Sequence, residues 1–232
     1  MRILALDTSG LVVSAAVAED ESLIAETFLQ YQKTHSQTLL PLIADMLGQI
    51  EMDVGDMDAL ALAVGPGSFT GLRIGVCTVK GLAMPEGIPV APVPTLDALA
   101  QTCALYGGLV CPIMDARRDQ VYTALYRTSR GHIREKLNDD GALPVDELCE
   151  GLNGYGEPVL FCGDGVNVYR DNILKMMGEH AIFAPPAQRL QRASSVAFLA
   201  GKMAGEGKLV SHRELAPHYL RQSQAEQRYG KG

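Results

Sequence analysis

The chain has 232 residues, 47% of them apolar and 20% charged, a balance that excludes a disordered or fibrous protein and suits one large domain or two small lobes. Its 20 Lys and Arg stand against 27 Asp and Glu, giving a net charge of −7. That argues against a protein that holds RNA or DNA unaided, since backbone affinity comes mainly from cations neutralising phosphates.

Three short β patterns open the chain, at residues 2–8, 12–18 and 22–28. The turn-like Ser9-Gly10 and Glu19-Asp20-Glu21 between them predict an antiparallel meander. A helix follows over 36–50, with Thr34 or Ser36 as its cap. A strand over 58–64 runs into Gly65-Pro66-Gly67-Ser68-Phe69-Thr70-Gly71 and a second helix over 70–84. Next come a strand at 88–93 and a helix at 95–106 capped by Thr95, with Asp97 in its first turn. The second half predicts strands at 109–114, 120–127, 158–162 and 182–183, and helices at 144–151, 166–177 and 193–205. The tail from 211 is polar apart from Pro217-His218-Tyr219-Leu220. Strands and helices mixed in both halves indicate an α/β protein of two lobes.

No apolar run reaches the ~18 residues of a membrane span, and Asp7 interrupts the start too early for a secretory signal. Cys77, Cys103, Cys111, Cys149 and Cys162 are odd in number and form no C-x-x-C pair. Buried, reduced thiols in a cytoplasmic protein are expected.

The first two helices are unusually apolar. On a helical wheel Leu39, Leu40, Leu42, Ile43, Met46, Leu47 and Ile50 fall within an arc of about 160°, against the ~100° stripe that covers a core. The 70–84 helix carries only Arg73 and Lys80 as charges, and Gly71, Gly75 and Thr78 form a small-residue strip of the kind that marks close backbone approach. A helix apolar nearly all round needs cover nearly all round. Neighbouring helices of the same chain would supply it, or a second subunit would. The subunit reading takes Leu39, Leu42, Ile43, Met46, Leu47, Gly71, Ile74, Gly75, Thr78 and Leu82 as interface.

The loop at 65–71 lies between a strand and a helix N-terminus, where amides could cradle a phosphate. It lacks the Gly-Lys of a Walker loop and the G-x-G-x-x-G pattern. The alternative is a tight crossover in which glycines supply φ > 0 and Thr70 caps the helix.

Ile3-Leu4-Ala5-Leu6-Asp7-Thr8-Ser9, His35-Ser36-Gln37-Thr38-Leu39-Leu40-Pro41, the stretch 65–76 and Pro217-His218-Tyr219-Leu220-Arg221 resemble the TsaB (YeaZ) family. The resemblance covers essentially the whole chain and is strongest over residues 1–100. It implies an actin-like ATPase (ASKHA, ribonuclease H-like) fold, here divided as residues 1–102, to which the tail 212–232 returns, and residues 103–211. It implies a noncatalytic scaffold for forming threonylcarbamoyl-adenosine in tRNAs that read codons beginning with A. Such a scaffold binds and stabilises the transferase TsaD and helps recruit the ATPase TsaE. It also implies a homodimer in the absence of TsaD, contact with tRNA only through the complex, and ATP or ADP in the wider assembly with no cofactor on this chain.

TsaD-type enzymes carry H-x-x-x-H on the first long helix, two imidazoles on one face able to share a metal. Here His35 is followed at that spacing by Leu39, so no metal site is expected. Asp7 stands where actin-like ATPases keep a metal-coordinating acid, and Asp7, Thr8, Gly65 and Gly67 are the weak candidates for nucleotide contact. The rival reading is an autonomous ATPase, metallohydrolase or glycoprotease-like enzyme built on Asp7 and the 65–71 loop. Asp164 in Gly163-Asp164-Gly165 reads as a turn residue, Cys77 as inert, and Arg117, Arg118, Arg221 and Arg228 as ordinary surface cations.

Overall fold

The opening apolar run is covered on both faces because it sits mid-sheet. In the computed structural model, which describes residues 1–31 and 34–221, β1 (Arg2–Asp7), β2 (Val13–Glu19) and β3 (Ser22–Leu29) form the expected meander. On its other side β1 pairs in parallel with β4 (Ala59–Gly65), and β4 with β5 (Val90–Pro94), giving the order β3-β2-β1-β4-β5. The period of two then sorts side chains. Leu4, Leu6, Leu60, Leu62 and Val64 face α1 (His35–Gln49) and α2 (Phe69–Ala83). Ile3, Ala5, Ala59, Ala61 and Ala63 face Val196, Ala197 and Ala200 of α6 (Ala193–Gly205). Alanines on that face let the helix approach closely.

The second sheet is built around β6 (Leu109–Arg117), with β7 (Gln120–Thr123), β8 (Tyr126–Ser129), β9 (His132–Lys136), β10 (Gly141–Pro144), β11 (Val159–Cys162) and β12 (Ala181–Phe183). Helices α4 (Val145–Asn153) and α5 (Gly165–Met177) cover one face, and α3 (Thr95–Thr102) the other. Between the sheets, α3 sends Leu96 and Leu99 into the second lobe and Ala98 into the first. Asp97 pins it there, accepting from the buried Tyr126 hydroxyl at 2.7 Å and from Lys136 Nζ at 2.8 Å. This is the two-lobed actin-like α/β architecture.

Several expected boundaries need correction. The second lobe does not run to 211: α6 packs on the first sheet and Val210 bridges to Val90 of β5, so the return begins with α6 rather than at 212. The single strand expected over 120–127 divides at Ala124-Leu125, because β6 pairs with β7 along its end and with β8 at its start. Both β9 and β10 escape the sequence pattern, being short, half-exposed strands without clean alternation, the first polar and the second the tetrapeptide Gly-Ala-Leu-Pro. Helix α3 stops at Thr102, and a short turn at Ala104–Tyr106 takes up the rest. Past Leu215, buried in the first lobe's core, His218 N donates to Val64 O at 2.7 Å. Tyr219 stacks on Phe69, Leu220 packs into the second lobe, and Arg221 Nη1 reaches Ala116 O at 2.9 Å. This terminal strap spans both lobes; Arg228 lies outside the described residues.

Candidate functional site

The glycine strip of α2 packs inward, onto the end of β1. A Cβ on Gly71 would stand 2.0 Å from Thr8 O, and one on Gly75 2.5 Å from Thr8 Oγ1. Thr8 Oγ1 donates to Gly71 O at 2.8 Å and closes the contact. The helix is capped by Ser68, whose Oγ accepts from Gly71 N at 3.3 Å, and not by Thr70, which lies one position inside the helix. Likewise Thr95 opens α3 from within, its Oγ1 accepting from Gly65 N at 3.0 Å.

Most of the side chains expected at a subunit interface are therefore core. Leu39, Leu42, Ile43, Met46 and Leu47 of α1 are buried against β1, β2, β4 and α2, and Gly71 and Gly75 are buried under Thr8. A side chain already covered by its own chain offers no contact area, so those seven positions are withdrawn. Ile74, Thr78 and Leu82 remain at the boundary, half-exposed. The outward side of the two helices carries Leu40 at 53% exposure and Met84 at 64%, with Pro41, Ala44, Gly48, Cys77 and Gly81 exposed between polar neighbours. Cys77 thus lies at the surface, contrary to the expectation of a buried thiol. The helical wheel finds the most apolar arc, which faces the chain's own sheet. The flank beside it is small and weakly polar, and its exposed charges are Asp45 and Arg73, whose Nε donates to the Tyr219 hydroxyl at 3.0 Å.

The second candidate, around Asp7, is sealed. Asp7 is 0% exposed; its Oδ1 accepts from Ser9 N at 2.8 Å and from Ser9 Oγ at 2.6 Å, while Oδ2 has no protein partner. Burial pushes its pKa up to about 6. Ser14, directly opposite across β1 and β2, also has an unpartnered hydroxyl, as do both amide atoms of Gln191, 1% exposed. Gln191 fills the space over the β1–β2 turn, where a Cβ on Gly10 would meet its Nε2 at 2.4 Å. Nothing in the sequence marks Gln191, which precedes α6 as an ordinary polar linker residue.

Three amides of the 65–71 loop are engaged internally: Gly65 N on Thr95, Ser68 N on Ser9 O at 2.7 Å, and Gly71 N on Ser68. Gly65 (φ +131°) is backed by His218 O and Gly67 by Ser9 O, so the glycines serve the crossover. His35 Nε2 sits 3.0 Å from Gly10 O, and among the described residues no three His, Cys, Asp or Glu side chains are placed to hold a metal. A carboxylate sealed from solvent, beneath a turn that Gln191 fills, does not fit a metal–nucleotide site. Asp164, also pushed up to about 6 by burial, accepts from Asp115 N at 3.1 Å within its turn. Arg117 and Arg118 lie exposed at the β6–β7 turn.

Asp7 gives a pH test. Its native pKa exceeds the ordinary 3.8, so its contribution to stability is complete below about pH 4 and is lost as pH rises through about 6. The difference, some two pKa steps, is about 3 kcal/mol. Asp7→Asn is expected to raise the unfolding free energy measured in urea by up to that amount near pH 7 and to leave it unchanged near pH 4. The same change at both pH values would contradict a raised pKa at Asp7.

Residues 23–229 match the family described as TsaD, tRNA N6-adenosine threonylcarbamoyltransferase. A tRNA threonylcarbamoyladenosine biosynthesis protein TsaB from Bacillus subtilis is 36% identical, over 99% of this chain and 98% of its own length. That of Escherichia coli is 31% identical over 97% and 96%. YeaZ from Pseudomonas aeruginosa superposes with a TM-score of 0.79 at 28% identity, covering 94% of this chain and 99% of that one. A second Pseudomonas aeruginosa structure, described as similar to peptidase YEAZ, reaches a TM-score of 0.81 at 29% identity, over 95% and 99%. Among the described residues no helix is long and apolar enough to cross a membrane.

Proposed function

The chain belongs to the TsaB (YeaZ) family of tRNA threonylcarbamoyladenosine biosynthesis proteins, and from that we propose that it is a noncatalytic, cytoplasmic scaffold subunit which binds a TsaD-type transferase through the outward side of α1 and α2. The observation that carries the binding face is the exposed apolar stretch of Leu40, Ala44, Cys77, Gly81 and Met84 on a helix pair whose inner side is already filled by its own core. A surface of that kind is covered in a stable assembly. The noncatalytic role is supported by the sealed Asp7 and by Leu39 in the place of a second imidazole.

In this reading the transferase moves the threonylcarbamoyl group onto adenosine in tRNAs that read codons beginning with A. This chain holds the transferase in its working shape and helps to form the surface on which the ATPase TsaE docks. It reaches tRNA only through the complex and needs no cofactor of its own, ATP and ADP being handled elsewhere in the assembly. Without the transferase, the same face pairs with a second copy of the chain.

Reconstitution with the transferase, TsaE, ATP and tRNA, omitting one protein at a time, tests this. Loss of modified nucleoside when this chain is left out, together with no nucleotide turnover by the chain alone, is expected. Undiminished modification in its absence would refute the scaffold role. Turnover by the chain alone that vanishes in Asp7→Ala would establish the ATPase reading instead.

A further inference from the structure

At the edge of the α1–α2 face, one pocket gathers positive charge that the chain itself leaves unpaired. Lys80 and Gly81 in the last turn of α2, and Met84 at its cap, meet His212 and Arg213 around a cavity of about 530 Å³. The turn that presents the last two is held at both ends: Val210 bridges to Val90, and Leu215 is buried in the core. Within it Ser211 N donates to Glu214 Oε2 at 3.0 Å and Arg213 N to Ser211 Oγ at 3.1 Å. Lys80 Nζ donates to Arg213 O at 3.4 Å, which draws the ammonium towards the second cation. Among the described residues neither Lys80 nor Arg213 forms an ion pair, and the adjacent acid, Glu214, is turned to Ser211. The negative end of the α2 dipole accounts for one cation beside it. It does not account for a second cation and an imidazole brought there from the far end of a chain whose net charge is −7.

We infer, on the strength of the binding face proposed above, that this pocket receives an acidic segment of the transferase-type subunit, one carboxylate lying between Lys80 and Arg213 and an apolar neighbour resting on Met84. Like charges around one opening repel, and an entering anion turns that repulsion into attraction. Gly81 and Met84 belong both to the pocket and to the exposed apolar face, so a subunit that covers the face reaches the pocket without a break. Met84, 64% exposed, supplies an apolar wall suited to a side chain beside a carboxylate. A phosphate ribbon has no use for that wall, and no Phe, Tyr or Trp among the lining residues offers a base a stacking face. A charged contact of this kind acts chiefly on encounter rate and register, where the apolar face supplies the bulk of the burial.

The test takes the complex of the full-length chain with the transferase and treats it with a water-soluble carbodiimide, which condenses an amine with a carboxylate. Mass spectrometry of the digest is expected to show Lys80 joined to an Asp or Glu of the transferase. Lys80→Arg, which keeps the charge and removes the amine, should lose the link and bind more tightly than Lys80→Ala. Lys80→Ala with Arg213→Ala should weaken binding about tenfold in low salt, mainly through a slower on-rate, and the loss should shrink as salt rises to about 0.5 M. The inference is overturned if the complex forms yet Lys80 links to no transferase carboxylate, or links only to a second copy of this chain. It is overturned in favour of RNA if the double variant binds the transferase as wild type but loses affinity for tRNA. Cys77→Glu separates the two levels. Weakened binding in Cys77→Glu beside an unchanged double-alanine variant strikes the pocket alone, whereas unchanged binding in both strikes the face and the pocket with it.

Discussion

Replacing Cys77 and Gly81 by Glu together is expected to weaken binding to a TsaD-type transferase at least about 100-fold while leaving the chain folded. Both positions are exposed on α2, and a Cβ on Gly81 meets nothing within 4 Å. In the free chain the carboxylates stay in water, and exchanging an exposed helical Gly even favours the helix by up to about 1 kcal/mol. In the assembly they are enclosed by apolar surface without a partner cation, which costs about 3–5 kcal/mol. Val168→Glu on α5, equally exposed but on the second lobe away from this face, serves as the control and should bind as wild type. Titration calorimetry or co-purification reads the difference, and nucleoside analysis of tRNA reads its consequence. Retained affinity in the double variant would remove α2 from the interface.

That pair of residues shows where the sequence was informative and where it fell short. Hydrophobic period and turn chemistry located the meander, α1, α2, α5 and α6 within a residue or two, because each carries one strong period bounded by Gly, Ser or Asp. They failed at β9 and β10, whose residues take their pairing from β8 and β7 rather than from an apolar face of their own. The surplus of apolar residues on the first two helices was also legible, but not which flank stays outside. That is decided by Thr8, whose hydroxyl donates to Gly71 O and whose carbonyl backs the same glycine, a contact between residues sixty-three positions apart. Gln191 was equally hidden, since it gains its meaning from Gly10, at the opposite end of the chain.

The same contact sets an order among glycine substitutions that surface exposure alone would not. Gly71→Ala brings a methyl group to 2.0 Å from Thr8 O, a buried backbone atom directly after β1 that cannot turn aside as a side chain can. The helix must move, and overpacking of this kind costs about 3 kcal/mol. For a chain of this size that lowers Tm by roughly 6–12 °C. Gly75→Ala meets Thr8 Oγ1 at 2.5 Å and Leu62 Cδ1 at 2.8 Å, both side-chain atoms that can rotate, so about 1–2 kcal/mol is expected. Gly48→Ala, in open space on α1, should raise stability by up to about 1 kcal/mol. Urea unfolding of the three variants checks the sequence of effects, and a Gly71→Ala midpoint at or above that of Gly75→Ala would contradict the fixed approach of α2 to Thr8. Because α2 carries the outward face on its other side, Gly71→Ala should also weaken transferase binding without touching a single exposed atom. At a temperature where the variant is still fully folded, that loss separates a displaced helix from an unfolded one.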